Sequence, residues 1–545
     1  MIHNPILPGF HADPCICRKG EDFYLAVSSF EWFPGVPVYH SKDLKHWELY
    51  ANALTDADAL DLKNLPSAKG VWAPCLTYCE DEGLFYLVYG IMRSMNARYF
   101  DVDNYLVTAP DPKGPWSEPI YLHSSGFDMS LLHDMDGRKY LVALEWETRD
   151  GYDKPGPICC VEYNPNEKRI VGQPKRIYRG ATDRGCLEAP HLYRRGEWYY
   201  LMCAEGGTGY YHAVTVARAR SVFGPYEADP HGVVLTANTT ERNARADVDH
   251  LKMECFNPES PLQKAGHGSY LELPNGESWL VHLCARPFVP EMRCTLGRET
   301  AIQRMIWTPD GWLRKANGSA LPEIEVQESA LPSCPFPGLP ERDDFSTLRP
   351  DWYALRIDPS TFAKLSGKGI VLCGAESLCS LNRVSLLAKK LTSVCVEVET
   401  ELTFSPECYQ QTAGLVLYYD NMNYRYLYQT RNERIGTALE LRSLENGKKQ
   451  EFPEAIVSIP KDMPLRLRLT VRGRRTQFSA YLDETWRPIG PAFDTSKLSD
   501  EYSDYGEFTG TFVGIACEDR MFRTKPATFA SFTYHIIDTV SPTAL

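Results

Sequence analysis

The sequence predicts an all-β protein in which a five-bladed β-propeller is followed by a C-terminal β-sandwich. Three observations support this prediction. Helical periodicity is nearly absent, pairs of strand-like segments recur five times in the first 320 residues, and the pattern changes after a proline-rich stretch. A chain of 545 residues also exceeds one ordinary core, so at least two domains are expected.

The repeat consists of two short strand-like segments at a nearly constant spacing. The first segments read "DPCICR", "APCLTY", "DMSLLH", "EAPHLY" and "HGSYLE". The second segments read "FYLAVSS", "LFYLVYG", "KYLVALEW", "WYYLMCAEGG" and "SWLVHLC". The first residue of each first segment precedes an aromatic residue of the following segment by 11 to 13 positions. Repeated strand pairs without helices between them are typical of a propeller, which we place at residues 1–325.

Five residues lead these first segments, and in a propeller they would lie around one axis. They are Asp13, Ala73, Asp128, Glu188 and His267. A single acid at such a place is usually a turn or cap residue, but three acids at one repeat position are harder to explain in that way. Burying a carboxylate is costly unless the group is satisfied or used. The pattern therefore predicts an acidic pocket on the axis.

Such a set of acids suits glycoside hydrolysis. Two carboxyl groups that flank a glycosidic bond can cleave it, one of them protonated and the other ionised. The proton donor needs a raised pKa, which a neighbouring negative charge can supply, so a third acid is useful. The distance between the carboxyl groups separates inversion from retention, and the residues alone leave that choice open.

The sequence pattern changes in the C-terminal part of the chain. The stretch "LPSCPFPGLPERDDF" carries four prolines, and we predict a linker over residues 326–342. Alternating segments such as "VCVEVETELTF", "GLVLYYD" and "LRLRLTVRG" follow it. They predict antiparallel strands and a β-sandwich over residues 343–545.

Composition limits the partners and the compartment. The net charge of −13 argues against nucleic acid and anionic membranes as partners, and no apolar run is long enough for a membrane span. The start "MIHNPILPGF" lacks the pattern of a signal peptide, so we expect a cytoplasmic protein whose 17 cysteines are reduced thiols. Pairs such as Cys15/Cys17 and Cys75/Cys79 lack zinc-site spacing, so no metal site is predicted from them.

An ordered set of segments resembles glycoside hydrolase family 43, in particular its two-domain β-xylosidases and α-L-arabinofuranosidases. The segments are "NPILPGFHADPCICR", "SSFEWFPGVPVYHSKDLKHW", "VWAP", "SGFDMSLLHD", "EAPHLY", "AEGGTGYYHA", "GHGSYLE", "LGRETAIQ" and "GEFTGTFVG". The resemblance covers essentially the whole chain. It implies a sandwich of the concanavalin-like or lectin-like jelly-roll type.

The resemblance also implies roles for the three acids. Asp13 matches the general base that activates water, and Glu188 matches the general acid that protonates the leaving oxygen. Asp128 matches the acid that orients Glu188 and tunes its pKa. The family inverts the anomeric configuration, so no covalent glycosyl-enzyme is expected.

Further positions match residues that bind the sugar. By resemblance, the substrate-binding residues are Phe30, Trp72, Ala73, Trp146, His267, Arg298 and Phe508. Arg298 matches an arginine that reaches the sugar and the modulating acid, and Phe508 a sandwich residue that closes the pocket. His267 matches a histidine of the central channel, which in some members lies near a divalent cation such as calcium. No cofactor is expected to be required.

These features predict an exo-acting, inverting β-xylosidase that releases xylose from the non-reducing ends of β-1,4-xylo-oligosaccharides during xylan degradation. An α-L-arabinofuranosidase that removes arabinose from arabinoxylan or arabino-oligosaccharides, or a bifunctional enzyme, is the alternative. Departures near the pocket, such as His11 in "FHADP" and "LEWE" around Trp146, keep that choice open. A non-catalytic sugar-binding protein is a remote alternative, because all three acids are present. The resemblance also implies a homo-oligomer, a dimer or a tetramer.

Overall fold

The computed structural model describes residues 1–152, 155–245, 251–461, 463–504 and 508–537. The protein is almost entirely β-structure. The helices of the described residues are four 3₁₀ turns of three residues each, Met253–Cys255, Pro359–Thr361, Pro453–Ala455 and Thr495–Lys497. No helix in this part of the chain is long and apolar enough to cross a membrane.

The N-terminal part folds into five antiparallel sheets in which consecutive strands pair. Blade one contains Cys15–Lys19, Asp22–Ala26, Gly35–Ser41 and Glu48–Leu54, and blade two contains Gly70–Cys79, Leu84–Asn96, Tyr99–Ala109 and Ile120–Tyr121. Blade three contains Ser130–His133, Lys139–Leu144, Ile158–Asn164 and Arg169–Tyr178. Blade four contains Glu188–Arg195, Trp198–Glu205, Ala213–Ala219, Glu227–Ala228 and Leu235–Thr236. Blade five contains Gln263–Glu272, Ser278–Ala285, Glu299–Trp307 and Leu313–Lys315.

The first strands of the five blades form a closed ring. Each contacts the first strand of the next blade, and the first strand of blade five contacts that of blade one. These strands carry the five predicted first segments, and the second strands carry the five predicted second segments. The predicted five-bladed propeller is therefore confirmed.

One residue in the left-handed region marks the same position in every blade. These residues are Asp13, Ala73, Asp128, Ala189 and His267, with φ between 40° and 55°. Residues other than glycine rarely adopt this conformation, and they concentrate at functional sites when they do. The sequence pattern put Glu188 at this position in blade four, and that register is wrong by one residue.

A β-bulge explains the shift in register. In blade two, Trp72 pairs with Gly90, and the ladder then slips by one residue at Ala-Pro. In blade four, Glu188 pairs with Ala204, and the ladder slips at the next Ala-Pro. A bulge of this kind re-aims the side chain beside it. Trp72 and Glu188 are thus the equivalent residues, and both line the axial cavity.

Short strands connect the two halves of the chain. Ile2–His3 pairs with Glu325–Val326 at the propeller edge, and Arg342–Asp343 pairs with a strand of the sandwich. Between Val326 and Arg342 the structure has no strand, and this is the segment in which the linker is predicted. Ala354–Leu355 returns to the propeller and pairs with Trp32–Phe33 of blade one.

The C-terminal part is a sandwich of two antiparallel sheets. One sheet runs in the order Ala363–Ser366, Gly369–Cys373, Pro526–Ile536, Cys395–Thr403, Leu465–Arg472, Arg475–Leu482 and Thr485–Pro488, with Arg342–Asp343 and Phe493–Asp494 at its sides. The other runs in the order Ser385–Lys390, Phe512–Asp519, Gln411–Asp420, Asn423–Asn432, Gly436–Glu445 and Lys448–Glu451, with Val457–Ser458 on the fifth strand.

The second sheet has both faces covered. Its strand Gln411–Asp420 is buried at every position, because one face packs inside the sandwich and the other packs against the propeller. In the propeller contact, the rings of Trp32 and Phe512 stack with centroids 3.7 Å apart. Tyr418 belongs to the same apolar cluster. This contact fixes the sandwich beside the propeller axis, where it can contribute residues to the cavity.

Candidate active site

A cavity of about 290 Å³ lies on the propeller axis, next to the sandwich. Nine of the ten predicted site residues line it, namely Asp13, Phe30, Trp72, Asp128, Trp146, Glu188, His267, Arg298 and Phe508. Sequence positions almost 500 residues apart therefore meet in one place. Blades one, three and four each supply one of the three acids.

Ala73 is the exception, because it does not line the cavity and its side chain is buried. The bulge in blade two presents Trp72 to the cavity in its place. The Ala73 N–H donates to Ser28 Oγ at 2.8 Å, and the Ser28 hydroxyl donates to Asp13 Oδ2 at 2.6 Å. Ala73 thus orients the partner of an acid. The prediction that it belongs to the sugar-binding residues finds no support in this geometry.

Asp13 is held from two sides. Ser28 reaches its Oδ2, and His267 Nδ1 lies 3.4 Å from its Oδ1. The carboxylate is 17% exposed, so it is open to the cavity. A fixed carboxylate that still meets solvent in the cavity is suited to orienting a water molecule. Ser28 is the sixth residue of the repeat segment "FYLAVSS", but nothing in the repeat pattern singled it out.

Asp128 supports the bulge that carries Glu188. Its Oδ2 accepts a hydrogen bond from the N–H of Ala189 at 3.1 Å. Burial raises the pKa of Asp128 to about 6, with a contribution from the charge of Asp13 and against the opposing effect of His267. Asp128 therefore both positions the neighbouring strand and places charge near Glu188.

Glu188 is in surroundings that favour its protonated form. Burial raises its pKa well above the ordinary value, and the charges of Asp128 and Asp13 raise it further. Among the described residues, no lysine or arginine forms an ion pair with Glu188 or Asp128. A carboxyl group that keeps its proton near neutral pH can act as a general acid.

Aromatic rings form the apolar walls of the cavity. The ring of Trp72 meets those of Phe127 and Phe508 edge-on, at 5.7 and 5.9 Å. Trp146 stacks on Phe100 with centroids 3.7 Å apart. Phe100 and Phe127 line the cavity but were not predicted. Phe127 directly precedes Asp128, which was a usable signal, whereas Phe100 lies in a hairpin outside the repeat segments.

Arg298 connects the cavity to the sandwich. Its Nη1 donates to Asp500 Oδ2 at 2.6 Å, and its Nε and Nη2 donate to the backbone oxygen of Thr208. The guanidinium also lies 4.8 Å from the ring of Phe508. The resemblance implied that this arginine reaches Asp128, but its ion pair in the described structure is with Asp500.

The fully buried side chain of Lys264 stands beside this pair. It forms ion pairs with Asp500 and Glu501, both of which are also fully buried. Burial raises the pKa of Asp500, but the attraction of Lys264 and Arg298 more than reverses this and holds the pKa far below its ordinary value. Two cations of the propeller and two acids of the sandwich thus join the domains behind the cavity.

His267 has one carboxylate oxygen close by, Oδ1 of Asp13 at 3.4 Å, and among the described residues it belongs to no group of three or more clustered His, Cys, Asp or Glu ligand atoms. His191 and His212 interact electrostatically with His267, and burial followed by this interaction lowers the pKa of each to about 3. Calcium takes six to eight oxygen ligands, whereas neutral imidazoles suit zinc and other transition metals. The donor set of the described residues does not fit calcium, and we derive no step through it.

An axial cavity in which three acids from three blades meet is suited to glycoside hydrolysis. Comparison with family models places the chain among the glycoside hydrolases. Residues 2–313 match the model "Glycosyl hydrolases family 43", and residues 342–535 match "Beta xylosidase C-terminal Concanavalin A-like domain". The chain therefore belongs to glycosyl hydrolases family 43, and its predicted concanavalin-like sandwich is confirmed.

Individual relatives agree over the full length. The chain is 41% identical to "Xylosidase/arabinosidase 43B" of Humicola insolens, over 98% of this chain and 97% of the relative. It is 40% identical to "Beta-xylosidase" of Bacillus subtilis (strain 168), over 98% and 99%. Among solved structures, xylan beta-1,4-xylosidase from Bacillus halodurans C-125 superposes with a TM-score of 0.92, at 44% identity, over 98% of this chain and all of that one.

Proposed function

We propose that the protein is an exo-acting, inverting β-xylosidase that removes xylose from the non-reducing ends of β-1,4-xylo-oligosaccharides. The observation that carries this proposal is the convergence of Asp13, Asp128 and Glu188 in a small cavity with aromatic walls. The similarity to proteins named β-xylosidases, over almost their whole length, supports the choice of substrate.

In the proposed mechanism Glu188 donates its proton to the glycosidic oxygen as the bond to C1 breaks. Asp13 takes a proton from a water molecule, whose oxygen forms the new bond to C1 from the opposite face. The anomeric configuration is thereby inverted. The cycle leaves Asp13 protonated and Glu188 ionised, and exchange with solvent restores both. Asp128 holds the proton on Glu188 by repulsion and keeps Ala189, and so the strand, in place.

Exo-action is supported by the size of the cavity and by its wall. About 290 Å³ is at the lower end of the range for ligand pockets, so a long polysaccharide could not lie through it. Phe508 of the sandwich forms one wall, backed by Arg298. The chain end of a short oligosaccharide fits such a closed site better than an internal bond does.

A second activity, removal of terminal α-L-arabinofuranose, is supported by one relative and one wall of the site. The Humicola insolens relative is named for both xylosidase and arabinosidase. The segment around Trp146 departs from the pattern expected of a xylosidase, and Trp146 lines the cavity, stacked on Phe100. Small changes in a pocket wall alter discrimination between similar sugars by modest factors, so a bifunctional enzyme is the alternative.

Comparison of kcat/KM on aryl β-D-xylopyranoside and aryl α-L-arabinofuranoside, with one purified preparation, tests the substrate. A clear preference for the xyloside is expected. The reverse preference would reassign the enzyme to arabinose removal, and no turnover of either would favour a sugar-binding protein. Proton NMR of the first product tests the stereochemistry: α-xylose is expected to appear first, and β-xylose would contradict the proposed roles.

The compartment and the assembly stay predictions. All 17 cysteines are free thiols in the structure, which is compatible with the predicted cytoplasmic location. Imported short oligosaccharides would then be the substrates. The predicted homo-oligomer, a dimer or a tetramer, can be tested by light scattering coupled to size-exclusion chromatography, where a mass near 61.8 kDa would indicate a monomer.

A further inference from the structure

The propeller axis carries a second ring of polar residues below the acids. Side chains two positions apart on a strand point to the same side. Two residues beyond the left-handed position of each blade lie Cys15, Cys75, Ser130, His191 and Ser269. We call these five residues the second ring. Three of these five side chains, two thiols and one imidazole, are of metal-ligating types.

Three members of the second ring have the geometry of a metal site. The Sγ atoms of Cys15 and Cys75 are 3.7 Å apart, and a ring nitrogen of His191 lies within 4.8 Å of both. Zinc–sulfur bonds of about 2.3 Å at tetrahedral angles require two sulfurs to be separated by about 3.8 Å. All three residues are at most 8% exposed. The two thiols therefore already stand at the separation that a tetrahedral ion requires.

The donor chemistry selects the class of ion. Two sulfurs and an imidazole are soft or borderline ligands that bind zinc, cadmium or cobalt far better than calcium or magnesium. Two thiolates also neutralise the charge of a divalent ion, so the complex can be buried at lower cost than a bare ion.

We propose that Cys15, Cys75 and His191 bind a thiophilic divalent cation, with zinc as the natural ligand, in the centre of the propeller. Binding forms two metal–sulfur bonds and one metal–nitrogen bond, and the two thiol protons pass to solvent. The fourth position of a tetrahedral ion is left to a water molecule. Neither cysteine belongs to a CxxC motif, because the three ligands come from three different blades.

The position of this ion gives it a supporting role. Cys15 follows the base Asp13 by two residues, and His191 follows the acid Glu188 by three. Cys75 likewise follows Ala73, whose N–H holds Ser28 against Asp13. An ion here would cross-link the strands that form the floor of the cavity, without touching the substrate. We therefore expect it to change thermal stability more than the chemical step.

Cobalt(II) is the probe for the test, because its thiolate complexes absorb strongly in the near ultraviolet. Metal-free, fully reduced protein is titrated with cobalt under anaerobic conditions. We expect thiolate-to-cobalt absorption that saturates at one equivalent and is abolished by zinc but not by calcium. Cys75→Ser and His191→Asn should each weaken binding at least 10-fold. Cys203→Ser is the matched control, since Cys203 is equally buried in blade four and lies outside the second ring.

Thermal unfolding supplies the second readout. Zinc is expected to raise the melting temperature of the native protein and of Cys203→Ser, but not that of Cys75→Ser or His191→Asn. Absence of thiolate-to-cobalt absorption in the reduced native protein would overturn the proposal. So would equal cobalt affinity in native protein and Cys75→Ser. If one variant does not fold, the other decides, because each removes a different ligand type.

Discussion

Glu188 lines the cavity, and Asp500 lies behind the cavity wall, paired with the lining residue Arg298. The two carboxyl groups nevertheless have opposite surroundings. Asp500 is paired with Lys264 and Arg298, and its pKa falls far below the ordinary value despite burial. Glu188 has acids as its charged neighbours, and burial together with these acids raises its pKa. Both groups are withdrawn from bulk water, but only the charge of Asp500 is balanced by neighbouring cations.

The difference separates a structural use of buried charge from a catalytic one. A buried ion pair with good geometry can fix the relation of two elements, and here it joins the propeller to the sandwich. Acids gathered without cations destabilise the fold, and such an arrangement is typical of a functional site. The two clusters therefore predict different responses to the same kind of substitution.

The largest effect is expected for Asp13→Asn. Without a base to accept the proton of the attacking water, kcat on an aryl β-xyloside should fall by about 10²–10⁴-fold. The fold should be retained, since Ser28 and His267 can still contact the amide. The control is Asp81→Asn in an exposed turn of blade two. Activity of Asp13→Asn near the native level, in folded protein, would contradict the assignment.

Glu188→Gln should show an effect that depends on the leaving group. Nitrophenolate departs without a proton, whereas the sugar alcohol of xylobiose needs one. The loss of kcat/KM should therefore be about 10²–10⁴-fold on xylobiose and clearly smaller on 4-nitrophenyl β-xyloside. Equal losses on the two substrates would mean that Glu188 is not the proton donor.

Lys264→Met breaks the buried cluster of ion pairs that joins the propeller to the sandwich. Asp500 keeps Arg298, but Glu501 loses its ion pair inside the protein. Removal of one partner from a buried ion pair costs about 3–5 kcal/mol, which urea unfolding can measure. Adding Glu501→Gln should restore part of the loss, because the uncompensated charge is gone. The exposed Lys63→Met serves as control, and an equally small effect at both lysines would remove the structural role of the cluster.

Asp128→Asn should move the pH dependence of the reaction. Loss of the negative charge removes a repulsion that keeps the proton on Glu188, so the pKa of Glu188 falls. The alkaline limb of the kcat/KM profile should therefore shift to lower pH, while the hydrogen bond from Ala189 can persist. An unchanged limb, or a shift to higher pH, would show that Asp128 does not tune Glu188.

The repeat made most of the fold and the three acids predictable. Each first segment lies at a nearly constant distance from its second segment, so residues such as Asp13 and Asp128 were placed on the axis by counting. In blade four the counting was wrong by one residue, because it did not foresee the bulge at Ala189. The shared Ala-Pro of "VWAP" and "EAPH" was the available signal, because it aligns Trp72 with Glu188 rather than Ala73 with Glu188.

Contacts between the domains were not predictable in the same way. The pairing of Arg298 with Asp500 joins residues 202 positions apart and depends on how the sandwich docks. No periodicity relates the two, and the docking rests on side-chain packing such as that of Trp32 on Phe512. Phe100 was missed for a related reason, since it lies near the start of the third strand of blade two, Tyr99–Ala109, outside the repeat segments.

Paired unfolding measurements on Glu188→Gln and Asp500→Asn test the central contrast most directly. Because the pKa of Glu188 is raised, the native protein loses part of its free energy of unfolding as pH rises through that pKa. Glu188→Gln should therefore be more stable than native protein at pH 7, with no difference near pH 4. The lowered pKa of Asp500 means that its contribution is present at pH 7 and lost as pH falls. Asp500→Asn should therefore be less stable at pH 7. Opposite signs are expected, and destabilisation by both substitutions would contradict the account.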